Sequence, residues 1–204
     1  MTRRYVMVHG TGDRHPRWIW PDSPLRRELA RHRWQHVEHA EGGFAWSGDV
    51  GRLFWIINRH DWEVMGDALR FYCRPVRDEL GHLILISHSH GAQGVVAAAT
   101  KGLQVDLWID ISGPIREDIL ARYPEARPQI ARHVFVYDAS RWGDWTRILG
   151  QLFDGRLAIP LAHPYADVNL PIAGAGHSRV LTDPAYLREW GRRILPAATG
   201  SGLV

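Results

Sequence analysis

The strongest chemical signal in the 204-residue chain lies at residues 83–94. Leu83-Ile84-Leu85-Ile86 is a dense apolar run, Ser87-His88-Ser89-His90-Gly91 is a small-x-Ser-x-Gly turn, and Gly94 with Ala97-Ala98-Ala99 belongs to a stretch of small residues at helical spacing. A strand that enters a sharp turn and leaves as a helix is the setting a nucleophilic serine needs, because the turn holds the hydroxyl above the sheet in a strained backbone. Residues two before and two after the serine nearly collide, so both must be small; here they are Ser87 and Gly91. Glycine is the usual residue at the first of these positions, and Ser87 departs from that pattern. The helix start also aims backbone N–H groups and a positive dipole end at the turn. Ser89 is thus the candidate nucleophile for acyl transfer, and the backbone N–H of His90 is a candidate donor to the oxyanion that would develop.

A serine hydroxyl needs a general base, and histidine titrates close to neutral pH. The chain has 12 histidines, so most must serve other ends. His177 stands in Ala173-Gly174-Ala175-Gly176-His177-Ser178, where the glycines let a loop bring an imidazole over the turn. His88 is expected to point away from Ser89 as a packed residue, and His163, ahead of Pro164, has no expected role. An acid must then hold the imidazole in one tautomer and stabilise its charged form. Asp144 follows the Val134–Tyr137 apolar run by several residues, Asp138 ends that run, and Asp110 lies late in the preceding one. The residues alone leave these three open: Asp138 also suits a turn, and Asp144 also suits a helix N-cap.

The elements that must position these groups are read from apolar periodicity. Strands are expected at Tyr5–Val8, Gln35–Ala40, Leu83–Ile86, Val105–Ile111, Val134–Tyr137 and Val168–Ile172, the last at a sheet edge because of Pro171. Helices are expected over Pro24–Trp34 behind an Asp22-Ser23 cap, Asp61–Leu80 with Pro75 as a kink or break, Gly91–Lys101, Arg116–Tyr123 and Pro184–Leu195. Alternation of strand and helix implies a parallel sheet covered on both faces. The expected fold is α/β: a three-layer α/β/α sandwich with a mostly parallel sheet of about six strands. Residues 1–196 are read as one domain and 197–204 as a loose tail.

With these residues in view, the chain resembles the α/β-hydrolase fold superfamily, particularly small, lid-poor serine esterases and lipases. The resemblance rests on His9-Gly10-Thr11-Gly12, Ser87-His88-Ser89-His90-Gly91, Gly143-Asp144-Trp145 and Gly176-His177-Ser178, and spans the chain from Tyr5 to about Trp190. It implies hydrolysis of an ester, thioester or amide by a Ser, Asp, His triad in that chain order, without a cofactor. It further implies Ser89 as nucleophile, His177 as base, Asp144 as the favoured acid, and the backbone N–H groups of Thr11 and His90 as the oxyanion hole. A short or medium acyl ester is the expected substrate, since there is no room for a large inserted lid. A catalytically silent domain of the same fold, used for binding, is the alternative from another class.

Composition narrows the remaining choices. Lys+Arg is 25 against Asp+Glu 22, a net charge of +3, and 24 of the basic residues are arginines scattered along the chain rather than gathered in a stripe. Nucleic-acid binding is not expected. No apolar run reaches the roughly 18–20 residues that span a bilayer, and the N-terminal run is too short for a signal peptide. A single cysteine, Cys73, fits a cytoplasmic protein with a structural thiol. No metal site is expected: His36 and His39 would point to opposite faces of a strand. Six of the 10 tryptophans lie between residues 18 and 62, where they serve either the core or the wall of an apolar acyl or alkyl pocket.

Overall fold

The computed structural model describes residues 2–10, 17–37, 61–140, 144 and 162–200, the side chains of Asp61 and Trp62 excepted. Six strands form one sheet: β1 (Arg3–Val8), β2 (Trp34–His36), β3 (Ile84–His88), β4 (Leu107–Ile111), β5 (His133–Tyr137) and β6 (Val168–Pro171). Their order is β2-β1-β3-β4-β5-β6, and every neighbouring pair is parallel. Pro171, which cannot donate to a ladder, accordingly sits in an edge strand. The chain first moves outward from β1 to β2 and then returns to place β3 on the other side of β1. Strand order therefore reverses between β1 and β3, the place in an open α/β sheet where a crevice is expected at the carboxyl ends of the strands.

Helices cover both faces of the sheet. On one side lie α1 (Pro24–Arg31) and the C-terminal helices α5 (Arg179–Thr182), α6 (Pro184–Glu189) and α7 (Leu195–Thr199); on the other lie α2 (Asp61–Leu80), α3 (Gly91–Thr100) and α4 (Glu117–Ala126). The alternation of strand residues divides the core accordingly. Tyr5, Met7, Ile84 and Ile86 pack with Leu25, Leu29, Leu187 and Trp190, whereas Val6, Val8, Leu83 and Leu85 pack with Met65, Leu69, Val95 and Ile119. Burying both faces explains why β3 and β4 read as almost continuous apolar runs. Trp18, Trp34, Trp108 and Trp190 are buried, while Trp20 is exposed; Trp46, Trp55, Trp142 and Trp145 lie outside the described residues.

The expected Asp22-Ser23 cap is present, and other local expectations are adjusted. The cap of α1 is Ser23, whose Oγ accepts the Arg26 N–H at 3.2 Å, with Pro24 in the first turn. Pro75 does not break α2; it stands on the exposed side, where water can take the carbonyl its ring leaves without a partner. Val105 makes only an isolated bridge to Ile130, so β4 begins at Leu107. The C-terminal segment is not loose from Ala197: a π-helical turn at Trp190–Ile194 leads into α7, and Ala198 is buried. That wider turn lets Pro196 open a new helix, where a missing N–H costs nothing. Among the described residues no helix is long and apolar enough to cross a membrane.

At the amino end of β5, His133 stacks on Trp108 with ring centroids 4.0 Å apart, and its Nδ1 is hydrogen-bonded to the Tyr123 hydroxyl. Burial lowers its pKa to about 3. An unfolded imidazole titrates at about 6.5, so below that pH the unfolded chain takes up a proton that the folded chain refuses. Stability from this group is complete above about pH 6.5 and is lost as pH falls toward about 3. The urea midpoint should therefore fall on acidification, and fall less steeply in His133→Phe, which keeps a ring but has no proton to bind. Equal slopes for the two proteins would contradict this.

Candidate active site

The turn at the end of β3 has the geometry its residue types call for. Ser89 lies at φ 53°, a left-handed conformation uncommon for a residue with a side chain, and is 8% exposed. Its N–H donates to the Ile111 carbonyl at 3.0 Å, and its own carbonyl accepts the Ala92 N–H at 3.0 Å as α3 begins. A Cβ on Gly91 would stand 2.6 Å from the Val8 carbonyl oxygen, and one on Gly10 would stand 2.7 Å from the Ser89 Cβ. Those two glycines allow the end of β1 to press against the turn. The N–H of His90 lies in this contact zone, since the same point on Gly10 falls 3.3 Å from the His90 nitrogen. Thr11, the other expected oxyanion donor, lies outside the described residues.

The departure at Ser87 has a structural reason. Its Oγ accepts the Trp108 indole N–H at 2.7 Å and donates to Asp110 Oδ1 at 3.1 Å, with all three residues buried. Parallel pairing sets Ser87 level with Asp110, and strand alternation puts Trp108 on the same face. A serine here ties β3 to β4 directly below the turn. Asp110 is thereby engaged under the sheet.

His177 sits in the loop between β6 and α5. Its Nδ1 lies 2.9 and 3.0 Å from the two carboxylate oxygens of Asp144, so an Nδ1–H donates to that carboxylate and leaves Nε2 as the basic nitrogen. Asp144 is buried, and the His177 ring is partly open to solvent. His88, adjacent to Ser89, donates its Nε2–H to the His177 carbonyl at 3.0 Å, with ring centroids 4.7 Å apart. Trp18 meets the His88 ring edge-on. His88 is thus more than a packed residue: it joins the turn to the histidine loop. Its Nε2–H can donate only in a tautomer that chain spacing does not specify, which is why the contact was invisible in the sequence.

Asp138, the other acid near the end of β5, does not reach His177; its oxygens accept backbone N–H groups of Ser140, Gly174 and Gly176. Of the three aspartates, Asp144 is the one brought to the imidazole. Burial, the dominant cause in both, lowers the pKa of His88 to about 3 and that of His90 to about 4. Both rings beside Ser89 are therefore neutral near neutral pH. His163 packs among Tyr123, His133 and Phe135, remote in chemistry from the turn. Among the described residues no group of three or more His, Cys, Asp or Glu side chains could hold a metal ion.

No protein-family model and no curated protein matches the chain by sequence. Solved structures do match by shape. TT1662 from Thermus thermophilus superposes with a TM-score of 0.57 at 15% identity, covering 96% of this chain and 88% of that one. A variant of SOBER1 from Arabidopsis thaliana gives 0.53 at 14% identity, over 96% and 100% of the two chains. The Pyrococcus furiosus esterase PF2001 gives 0.52 at 12% identity, over 94% and 79%. At such identities the likeness concerns the path of the backbone. With its six parallel strands, its helices on both faces and its serine turn after β3, the chain has the α/β-hydrolase fold.

Proposed function

We propose that this protein is a serine hydrolase that cleaves a carboxylic ester through an acyl-enzyme intermediate, with Ser89 as nucleophile, His177 as general base and Asp144 as the acid that orients it. The observation that carries this reading is the pairing of His177 Nδ1 with both Asp144 oxygens, on a loop hydrogen-bonded to the residue preceding Ser89. The fold shared with an esterase, PF2001, supports it.

In this mechanism the Ser89 hydroxyl gives its proton to His177 Nε2 as Oγ attacks the acyl carbon. Asp144 holds the ring in the required tautomer and stabilises the imidazolium without taking the proton itself. The carbonyl oxygen becomes an oxyanion, stabilised by the N–H of His90 and, on this reading, of Thr11; each such donor contributes about 2.7–4 kcal/mol. His177 then protonates the departing alkoxide, and a water molecule repeats the sequence on the acyl-enzyme to release the acid. No cofactor takes part. His88 and His90, held neutral by burial, place no positive charge beside the nucleophile. The substrate is a small-molecule ester with an apolar acyl or alkyl group. Burial pushes the Cys73 thiol well up from its ordinary pKa, which keeps it inert and fits a structural thiol in the cytoplasm.

A fluorophosphonate probe should label the wild-type protein and leave Ser89→Ala unlabelled. Equal labelling of both would remove Ser89 as nucleophile, and labelling of neither would favour a silent binding domain. On p-nitrophenyl esters, Asp144→Asn should lower kcat by roughly 10⁴-fold, the scale seen when a triad imidazole loses its orienting carboxylate, and far more than Asp138→Asn; the reverse order would transfer the acid's role to Asp138. Across acyl lengths, short and medium chains should be turned over best, and a preference for long micellar substrates would defeat the assignment of a small esterase.

A further inference from the structure

Two buried aspartates flank the histidine loop, and only one meets the imidazole. We infer that the other, Asp138, is a positioning residue whose carboxylate fills an anion-binding cradle in the Gly174–Gly176 backbone and thereby sets the position of His177. This inference rests on the serine-hydrolase reading above.

The cradle follows from backbone geometry. Gly174 and Gly176 both adopt left-handed conformations, φ 73° and 56°, on either side of Ala175. Alternation of this kind turns successive N–H groups toward one point, and such concavities bind anions. The Gly176 N–H donates to Asp138 Oδ2 at 2.6 Å, and the Gly174 N–H to Oδ1 at 3.2 Å. The Ser140 N–H also donates to Oδ1, at 2.7 Å, while Ser140 Oγ accepts the Gly174 N–H at 3.0 Å. Asp138 is 1% exposed, so removing its carboxylate takes away a buried acceptor that three backbone N–H groups share. A carboxylate is an acceptor at both oxygens, whereas an amide would present its NH₂ to one of the donors.

The loop is held from the opposite side as well. Arg179 donates to the Gly174 carbonyl at 3.0 Å, and His88 donates to the His177 carbonyl at 3.0 Å. Asp138 therefore fixes the N–H of Gly176, the residue before the base, and His88 fixes the carbonyl of the base itself. Between those points lie the backbone torsions of Gly176 and His177, whose ends the two contacts hold, and Asp144 orients the ring. A loop with two glycines in so short a span would otherwise be too free to keep the imidazole in register. Asp138 touches neither the ring nor the reacting atoms, so it acts through the loop.

The test compares Asp138→Asn and Asp138→Ala with wild type and Asp144→Asn on a p-nitrophenyl ester, with rates expressed per site titrated by the fluorophosphonate. Asp138→Asn should lower kcat by about 10–100-fold, the scale expected of misplacement by about an ångström, with KM little changed. Asp138→Ala should show a similar loss, and added formate, small enough to re-enter the vacated cradle, should restore part of kcat where chloride does not. Amide exchange at Gly174 and Gly176 should accelerate in Asp138→Asn while that of β3 stays as in wild type, a readout that needs no activity. Wild-type kcat per titrated site in Asp138→Asn, a loss equal to that of Asp144→Asn, or unchanged exchange at the two glycines would each overturn the inference, as would failure of formate to rescue a folded Asp138→Ala. If Asp138→Ala does not fold, Asp138→Asn and the exchange rates decide. Failure of the serine-hydrolase reading looks different: wild type and Ser89→Ala would label alike, with the glycine exchange still responsive.

Discussion

Ser89 occupies a backbone conformation that costs a residue with a side chain on the order of 1–3 kcal/mol, and the surrounding structure has to impose it. The imposition comes from three directions. Parallel pairing of β3 with β4 delivers the Ser89 N–H to Ile111, the start of α3 takes up its carbonyl, and the end of β1 closes against Gly91 with no room for a side chain. The turn stands at the carboxyl end of β3, beside the point where strand order reverses between β1 and β3, and the strands beneath it are buried on both faces. Strain at Ser89 is thus maintained by long-range packing.

Around the turn, three buried aspartates have been given three different partners. Asp110 accepts the hydroxyl of Ser87 and braces the strands from below. Asp138 accepts backbone N–H groups, and Asp144 accepts the Nδ1–H of His177. A buried carboxylate without donors is expensive, and each of these is supplied with them. The histidines follow the opposite course: His88, His90 and His133 stay neutral because burial disfavours their charged forms. The rings closest to Ser89 thus act as hydrogen-bonding and packing groups.

Much of the architecture was legible in the chain. Apolar runs of four or five residues gave five of the strands to within a few positions, and the turn at Ser89 was recognisable because its requirements are local: small neighbours, a strand before it and a helix after it. Pro75, read as a kink or break, lies inside the helix expected over Asp61–Leu80, while Pro196 lies in the first turn of a helix where a loose tail was expected from Ala197, because the preceding π turn decided the outcome. Ser87 looked like a weakening of the serine motif. Its hydroxyl instead links Trp108 to Asp110, a contact apparent only once β3 and β4 are set in register.

Sequence alone determined the alternation of strands and helices and the identity of the strained serine, since both depend on sterics and periodicity over a few neighbouring residues. It left the choice among Asp110, Asp138 and Asp144 to resemblance, and it gave no sign that His88 would hold the His177 carbonyl. Tertiary structure decided these matters. Each contact joins residues separated by 33 to 89 positions, and whether two such groups meet depends on strand order, register and the course of a loop rather than on the residues that flank either one.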